Sequence, residues 1–204
     1  MHTPTHNAAH PAVQAEPCLH APGTDTSRCT CALGAHVSTL QTAALLAAAE
    51  LVLQAEDDTE GLRTVVRAYR AVQAMVGYTD HPHALVTGDD LAALLGTLND
   101  AMSARLTAMG TKVDTVRAAV RRTPMDGQAV RLAADASDQA ESLGTVRDAY
   151  GAVQHLAPYA EHASGAGLSA ALQLLNDAMC ERLATMDEQL DALHAALRGK
   201  AGAA

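Results

Sequence analysis

Slid along itself, the chain matches itself, and this internal repeat constrains the fold more than any other feature of the sequence. At an offset of 81, Glu60 to His81 lies over Glu141 to His162. This pairs Leu62 with Leu143, Tyr69 with Tyr150, Gln73 with Gln154, Tyr78 with Tyr159 and His81 with His162. At an offset of 77, Leu91 to Met109 lies over Leu168 to Met186. There Leu98-Asn99-Asp100-Ala101-Met102 recurs as Leu175-Asn176-Asp177-Ala178-Met179, followed by Arg105 over Arg182. Of the 41 aligned pairs, 22 are identical, and with Tyr, Gln, Asn and His among them an alanine-rich background does not account for the match. The change of offset falls where a loop tolerates a deletion. The pattern reads as a tandem duplication.

Composition says what the repeated unit is made of. Trp and Phe are absent and Ile does not occur, so Leu, Val, Ala and Met must form the core. Ala, Leu and Met are good helix formers, which points to an all-α fold. The first helix is expected from about Thr39 to Val76, with Ser38 as its cap and an acidic stretch, Glu56 to Glu60, that could bend it. The second is expected from Thr87-Gly88-Asp89-Asp90, with carboxylates at the positive end of the dipole, to Arg121 and Arg122 at the negative end. Thr123-Pro124-Met125-Asp126 then has the form of a helix start, with Thr as cap and Pro in the first turn. The third helix is expected to stop before Pro158, and the fourth to run from Ser164-Gly165 to about Arg198-Gly199. An apolar series, Leu91, Leu95, Leu98, Met102, Leu106, Met109, Val113, Val116 and Val120, is matched by Leu168, Leu172, Leu175, Met179, Leu183, Met186, Leu190, Leu193 and Leu197. Its spacing is that of a coiled-coil-like seam with one four-residue stutter.

Together these features predict an antiparallel four-helix bundle built from two tandem-duplicated long helical hairpins, 38–122 and 123–199. Ahead of them, residues 1–37 carry Pro4, Pro11, Pro17 and Pro22 among small polar residues, and read as a flexible tail that cannot bury enough apolar surface to order itself.

Several functions are disfavoured by the same residues. A net charge of -9 with no basic block argues against nucleic acid and against an anionic membrane surface. No secretory leader or membrane-spanning stretch is visible, so the expected location is the cytoplasm, with signal-independent export as a variant. Glu-x-x-His, the signature of a di-iron bundle, does not occur. Catalytic residues and bound cofactors are therefore not expected. Two groups remain as candidates. The tail holds His2, His6, His10, Cys18, His20, Cys29, Cys31 and His36, residue types that bind zinc or copper, although their spacing matches no zinc-finger pattern. His81 and His162 fall in the loops of the two hairpins, beside Tyr78 and Tyr159 and next to Asp80 and Glu161, residue types that could form an acid/base set. Tyr69 with Gln73, and Tyr150 with Gln154, sit one turn apart on a helix and read as core packing with a polar tip. Asn99-Asp100 with Arg105, and their counterparts, read as a network fixing helix register. Cys180, in place of Ser103, reads as a small inert residue. The functional expectation is a non-enzymatic bundle acting through a protein partner or a homo-oligomer; the alternative is a metal-handling protein using the tail.

Overall fold

The computed structural model describes residues 27–77, 87–123, 125, 127–159 and 165–203; side chains are not described at 27–38 or 203. The chain divides into a short N-terminal unit ending at His36 and a unit from Val37 to Ala204. The described residues form four helices: α1 (Ser27–Gly77), α2 (Gly88–Arg122), α3 (Gly127–Leu156) and α4 (Gly165–Ala203). A 3-10 turn, Ala157–Tyr159, follows α3.

Contacts between neighbouring helices run in opposite senses along the chain. Asp58 meets Lys112 and Tyr69 meets Asn99 between α1 and α2; Ser137 meets Arg117 and Gln154 meets Asn99 between α3 and α2. Arg182 meets Ser142 and Asn176 meets Tyr150 between α4 and α3, and Asp187 meets Thr59 while Ser169 meets Gln73 between α4 and α1. Each helix is thus antiparallel to both of its neighbours, and α4 closes back on α1. The result is an all-α, antiparallel four-helix arrangement. Among the described residues no helix is long and apolar enough to cross a membrane.

The helix ends show why the sequence folds here as it does. Thr87 caps α2: its Oγ1 accepts from the Asp90 N–H, and the Asp90 carboxylate accepts from the Thr87 N–H, a reciprocal capping box. The Thr87 hydroxyl, 2.7 Å from the Asp90 carboxylate, and then the Thr87 N–H hold the Asp90 carboxyl below its ordinary pKa. Two expected ends differ. The helix α1 starts at Ser27, so Ser38 lies inside it; from Ser27 to Thr39 there is no proline, and Gly34 alone does not stop a helix. Thr123 closes α2 instead of opening α3: its N–H donates to Ala119 O and Val120 O, and its hydroxyl to Ala119 O. The acidic stretch of α1 stays helical, and two of its side chains are tied to neighbours. Asp58 takes Lys112 at 2.5 Å, and the Thr59 hydroxyl lies 2.7 Å from Glu56 O and 2.8 Å from the Asp187 carboxylate, which also holds Arg63.

The core is the apolar series with one substitution. Leu98 and Leu175 are only partly buried; the buried position is the next residue, Asn99 or Asn176. The buried stripe of α2 therefore runs Leu91, Leu95, Asn99, Met102, Leu106, Met109, Val113, Val116, Val120. The stutter moves from around Met102 to around Leu95, about two turns towards the helix start, and an amide replaces a leucine in the interior.

Two glycines carry opposite expectations. A Cβ on Gly88 would lie 2.9 Å from Ala157 O and 3.1 Å from Pro158, both backbone atoms that cannot swing aside. Gly88→Ala is expected to cost about 1–3 kcal/mol through overpacking. A Cβ on Gly61 would meet only the guanidinium end of Arg105, an exposed and flexible side chain. Gly61→Ala is expected to raise stability by up to about 1 kcal/mol through helix propensity. Urea midpoints of the two variants check both signs.

Candidate functional site: a polar cluster in the bundle interior

Four kinds of observation place the most organised polar group midway between α1, α2, α3 and α4. Tyr69 of α1 and Tyr150 of α3 are fully buried, with ring centroids 4.2 Å apart and planes tilted by 36°. The Tyr69 hydroxyl donates to Asn99 Oδ1 at 2.5 Å, and the Tyr150 hydroxyl to Asn176 Oδ1 at 2.7 Å. Each asparagine passes the chain of bonds on: Asn99 Nδ2 donates to Gln154 Oε1 at 2.6 Å, and Asn176 Nδ2 to Gln73 Oε1 at 2.9 Å. Gly96 leaves space for Gln154, since a Cβ there would come within 2.9 Å of the Gln154 amide nitrogen.

The two arms have the same residue types and the same order, Tyr to Asn to Gln, and they cross. The Tyr–Asn bond of each arm joins the two helices of one sequence half, while the Asn–Gln bond reaches into the other half. Sequence spacing suggested that Tyr69 and Gln73 share a face of one helix. Their bonds instead go to different asparagines, which only the packing of all four helices can specify.

Chemically this cluster is closed. Burial pushes both phenols well above the usual tyrosine range, the larger shift falling on Tyr150, so both stay protonated donors around neutral pH. Each asparagine oxygen and one N–H of each asparagine amide are taken. Such satisfied buried polar groups specify a register. Asp100 and Arg105 lie outside this network and are exposed, and Asp177 is exposed with a loose contact to Arg70 at 3.9 Å. Arg182 is occupied elsewhere, donating to Ser142 Oγ at 2.7 Å. The register network is therefore Tyr, Asn and Gln, without the Asp and Arg expected from sequence.

Shallow grooves lie behind each glutamine. One, between α1 and α4, is lined by Arg70, Gln73, Gly77, Ser169, Gln173 and Asp177; the other, between α2 and α3, by Asn99, Ser103, Arg147, Asp148, Gln154 and His155. Cys180 is half-buried, and Arg70 Nη2 lies 3.4 Å from its sulfur.

Of the candidates read from sequence, His2, His6, His10, Cys18, His20, Tyr78, His81 and His162 lie outside the described residues. Cys29, Cys31 and His36 fall on the helical backbone of α1, with their side chains outside the described set. Tyr159 ends the 3-10 turn and is 70% exposed. Among the described residues, no group of three or more His, Cys, Asp or Glu side chains is arranged to hold a metal ion. The chain matches no protein-family model, no curated protein and no solved structure.

Proposed function

We propose that this chain arose by tandem duplication of a helical hairpin, and that it works without catalysis, through contact with a protein partner or with itself. The crossed Tyr–Asn–Gln arms support the duplication, because residues aligned at offsets of 81 and 77 occupy corresponding places in both arms. The contact role rests on one observation: among the exposed large apolar side chains, which also include Leu40, Leu46 and Leu174, a group stands together at one end of the bundle. Met75 and Leu156, aligned with each other at an offset of 81, are 44% and 63% exposed. They sit near the C-terminal ends of α1 and α3, which run in the same direction, and Tyr159 extends the same end.

The test is cross-linking of the full-length chain in the cell that makes it, beside a Met75→Glu/Leu156→Glu variant. A discrete cross-linked protein, reduced at least about fivefold in the variant at unchanged helicity, is the expected result; fivefold corresponds to about 1 kcal/mol of lost contact. A turnover activity abolished by Tyr69→Ala without loss of helicity would overturn the reading. So would a cross-linked species indifferent to both substitutions.

A further inference from the structure

Among the places where the seams on opposite sides of the bundle differ, one set of corresponding positions brings charged groups together in both. Between α2 and α3, Arg117 Nη1 donates to Ser137 Oγ at 3.0 Å, and Ser137 Oγ donates to Asp114 Oδ1 at 3.1 Å. A permanent cation, a hydroxyl and a carboxylate are joined in one chain of bonds. The same offsets of 81 and 77 carry Ser137, Asp114 and Arg117 onto Glu56, Asp191 and His194. Those three meet between α1 and α4, one turn from the Thr59–Asp187 bond. The hydroxyl has become a second carboxylate, and the permanent cation has become a histidine.

The consequence shows at Glu56. Its Oε1 is shut off from solvent and has no hydrogen-bond partner. The charges acting on it are Asp191 and His194 from α4 and Asp57 from α1. The nearby cation of α2, Lys112, is engaged by Asp58, and Asp187 of α4 is held by Arg63 and Thr59. Burial first, then Asp191, raises the Glu56 carboxyl above its ordinary value of 4.5, with His194 opposing. In the other seam the corresponding cation is an arginine, which stays charged at every physiological pH. At the corresponding place the α1/α4 seam has His194 and no arginine.

We propose that the α1/α4 seam is a pH-sensitive joint. Acid closes it by protonating Glu56; neutral and alkaline solution loosens it by leaving Glu56 negative beside Asp191 and Asp57, with a histidine where the other seam has an arginine. The sign follows from linkage. Above 4.5 the folded chain holds the Glu56 proton more tightly than the unfolded chain does, so stability present in acid is lost as pH rises through the raised value. The α2/α3 seam, with Arg117 in place, is indifferent over the same range.

Native-state hydrogen exchange on the full-length protein, from pH 5 to 8 and corrected for the intrinsic base-catalysed rate, tests the joint. Amides of α1 and α4 around Glu56 and Asp191 are expected to show an opening constant that rises with pH, at most about tenfold per unit for one proton. Those of α2 and α3 around Asp114 and Ser137 are expected to stay level. Glu56→Ser and His194→Arg, each installing the residue of the opposite seam, are expected to flatten the α1/α4 rise. Because the readout is a slope with pH, a general loss of stability in either variant does not imitate it. A level α1/α4 profile in the unaltered chain, or an undiminished slope in both variants, overturns the proposal.

Discussion

Tyr150→Ala is expected to cost about 3–5 kcal/mol, as large-to-small changes of fully buried aromatic residues do. That is a large share of the 5–15 kcal/mol typical of a whole domain. Three losses coincide there. The ring leaves a cavity against Tyr69, whose centroid is 4.2 Å away; the aromatic contact disappears; and Asn176 Oδ1 loses its donor. Tyr150→Phe separates these, since it keeps the ring and removes only the hydroxyl, and is expected to cost about 1–3 kcal/mol. Equilibrium unfolding in urea, followed by helical circular dichroism, measures both. A Tyr150→Ala loss below about 1 kcal/mol would show that the interior closes over the gap and that the ring pair is not a packing element. Tyr69→Ala is expected to fall in the same range, because its surroundings have the same make-up.

The second large effect belongs to Asn176. It is 1% exposed and joins the Tyr150 hydroxyl to the Gln73 carboxamide. Asn176→Ala leaves both partners unpaired in the interior, at about 1–3 kcal/mol for each buried group stranded. Gln73→Ala alone should cost less, since Gln73 lies at the groove end of the arm and can be replaced by water. The combination is the informative measurement. If the Asn176–Gln73 bond joins the two halves as described, the double variant is less destabilised than the sum of the singles, by about 0.5–3 kcal/mol. Strict additivity would mean that the bond carries no energy.

Much of this architecture was legible along the chain, and the exceptions have physical causes. Thr87 and Asp90 announced the start of α2 because a capping box is a local arrangement of neighbouring residues. Thr123 misled because the same residue type can end one helix or begin the next, and here the α2 carbonyls capture it. Leu98 looked like a core residue because it is apolar and keeps the spacing. One residue is 100° of helix rotation, however, and pattern alone could not tell that the buried direction fell on Asn99. The value of Asn99 in the interior comes from Tyr69 and Gln154, residues 30 and 55 positions away. Their convergence depends on how four helices pack. Comparing aligned positions did flag Tyr, Asn and Gln as retained, but it could not say which Tyr meets which Gln. The Glu56, Asp191 and His194 group went unnoticed for the opposite reason. Its members differ between the halves, so a search for what the halves share passes over it.

The paired rings also give the protein an optical signature. With no tryptophan and four tyrosines in the chain, near-ultraviolet absorption and emission come from tyrosine. Two of those chromophores lie within 4.2 Å of each other, fixed at a 36° tilt in a dry interior. Their transitions are close enough to couple, so the native chain should show a near-ultraviolet dichroism that disappears when α1 and α3 separate, even while every helix remains intact. The protein thus carries its own unlabelled reporter of whether its four helices are together.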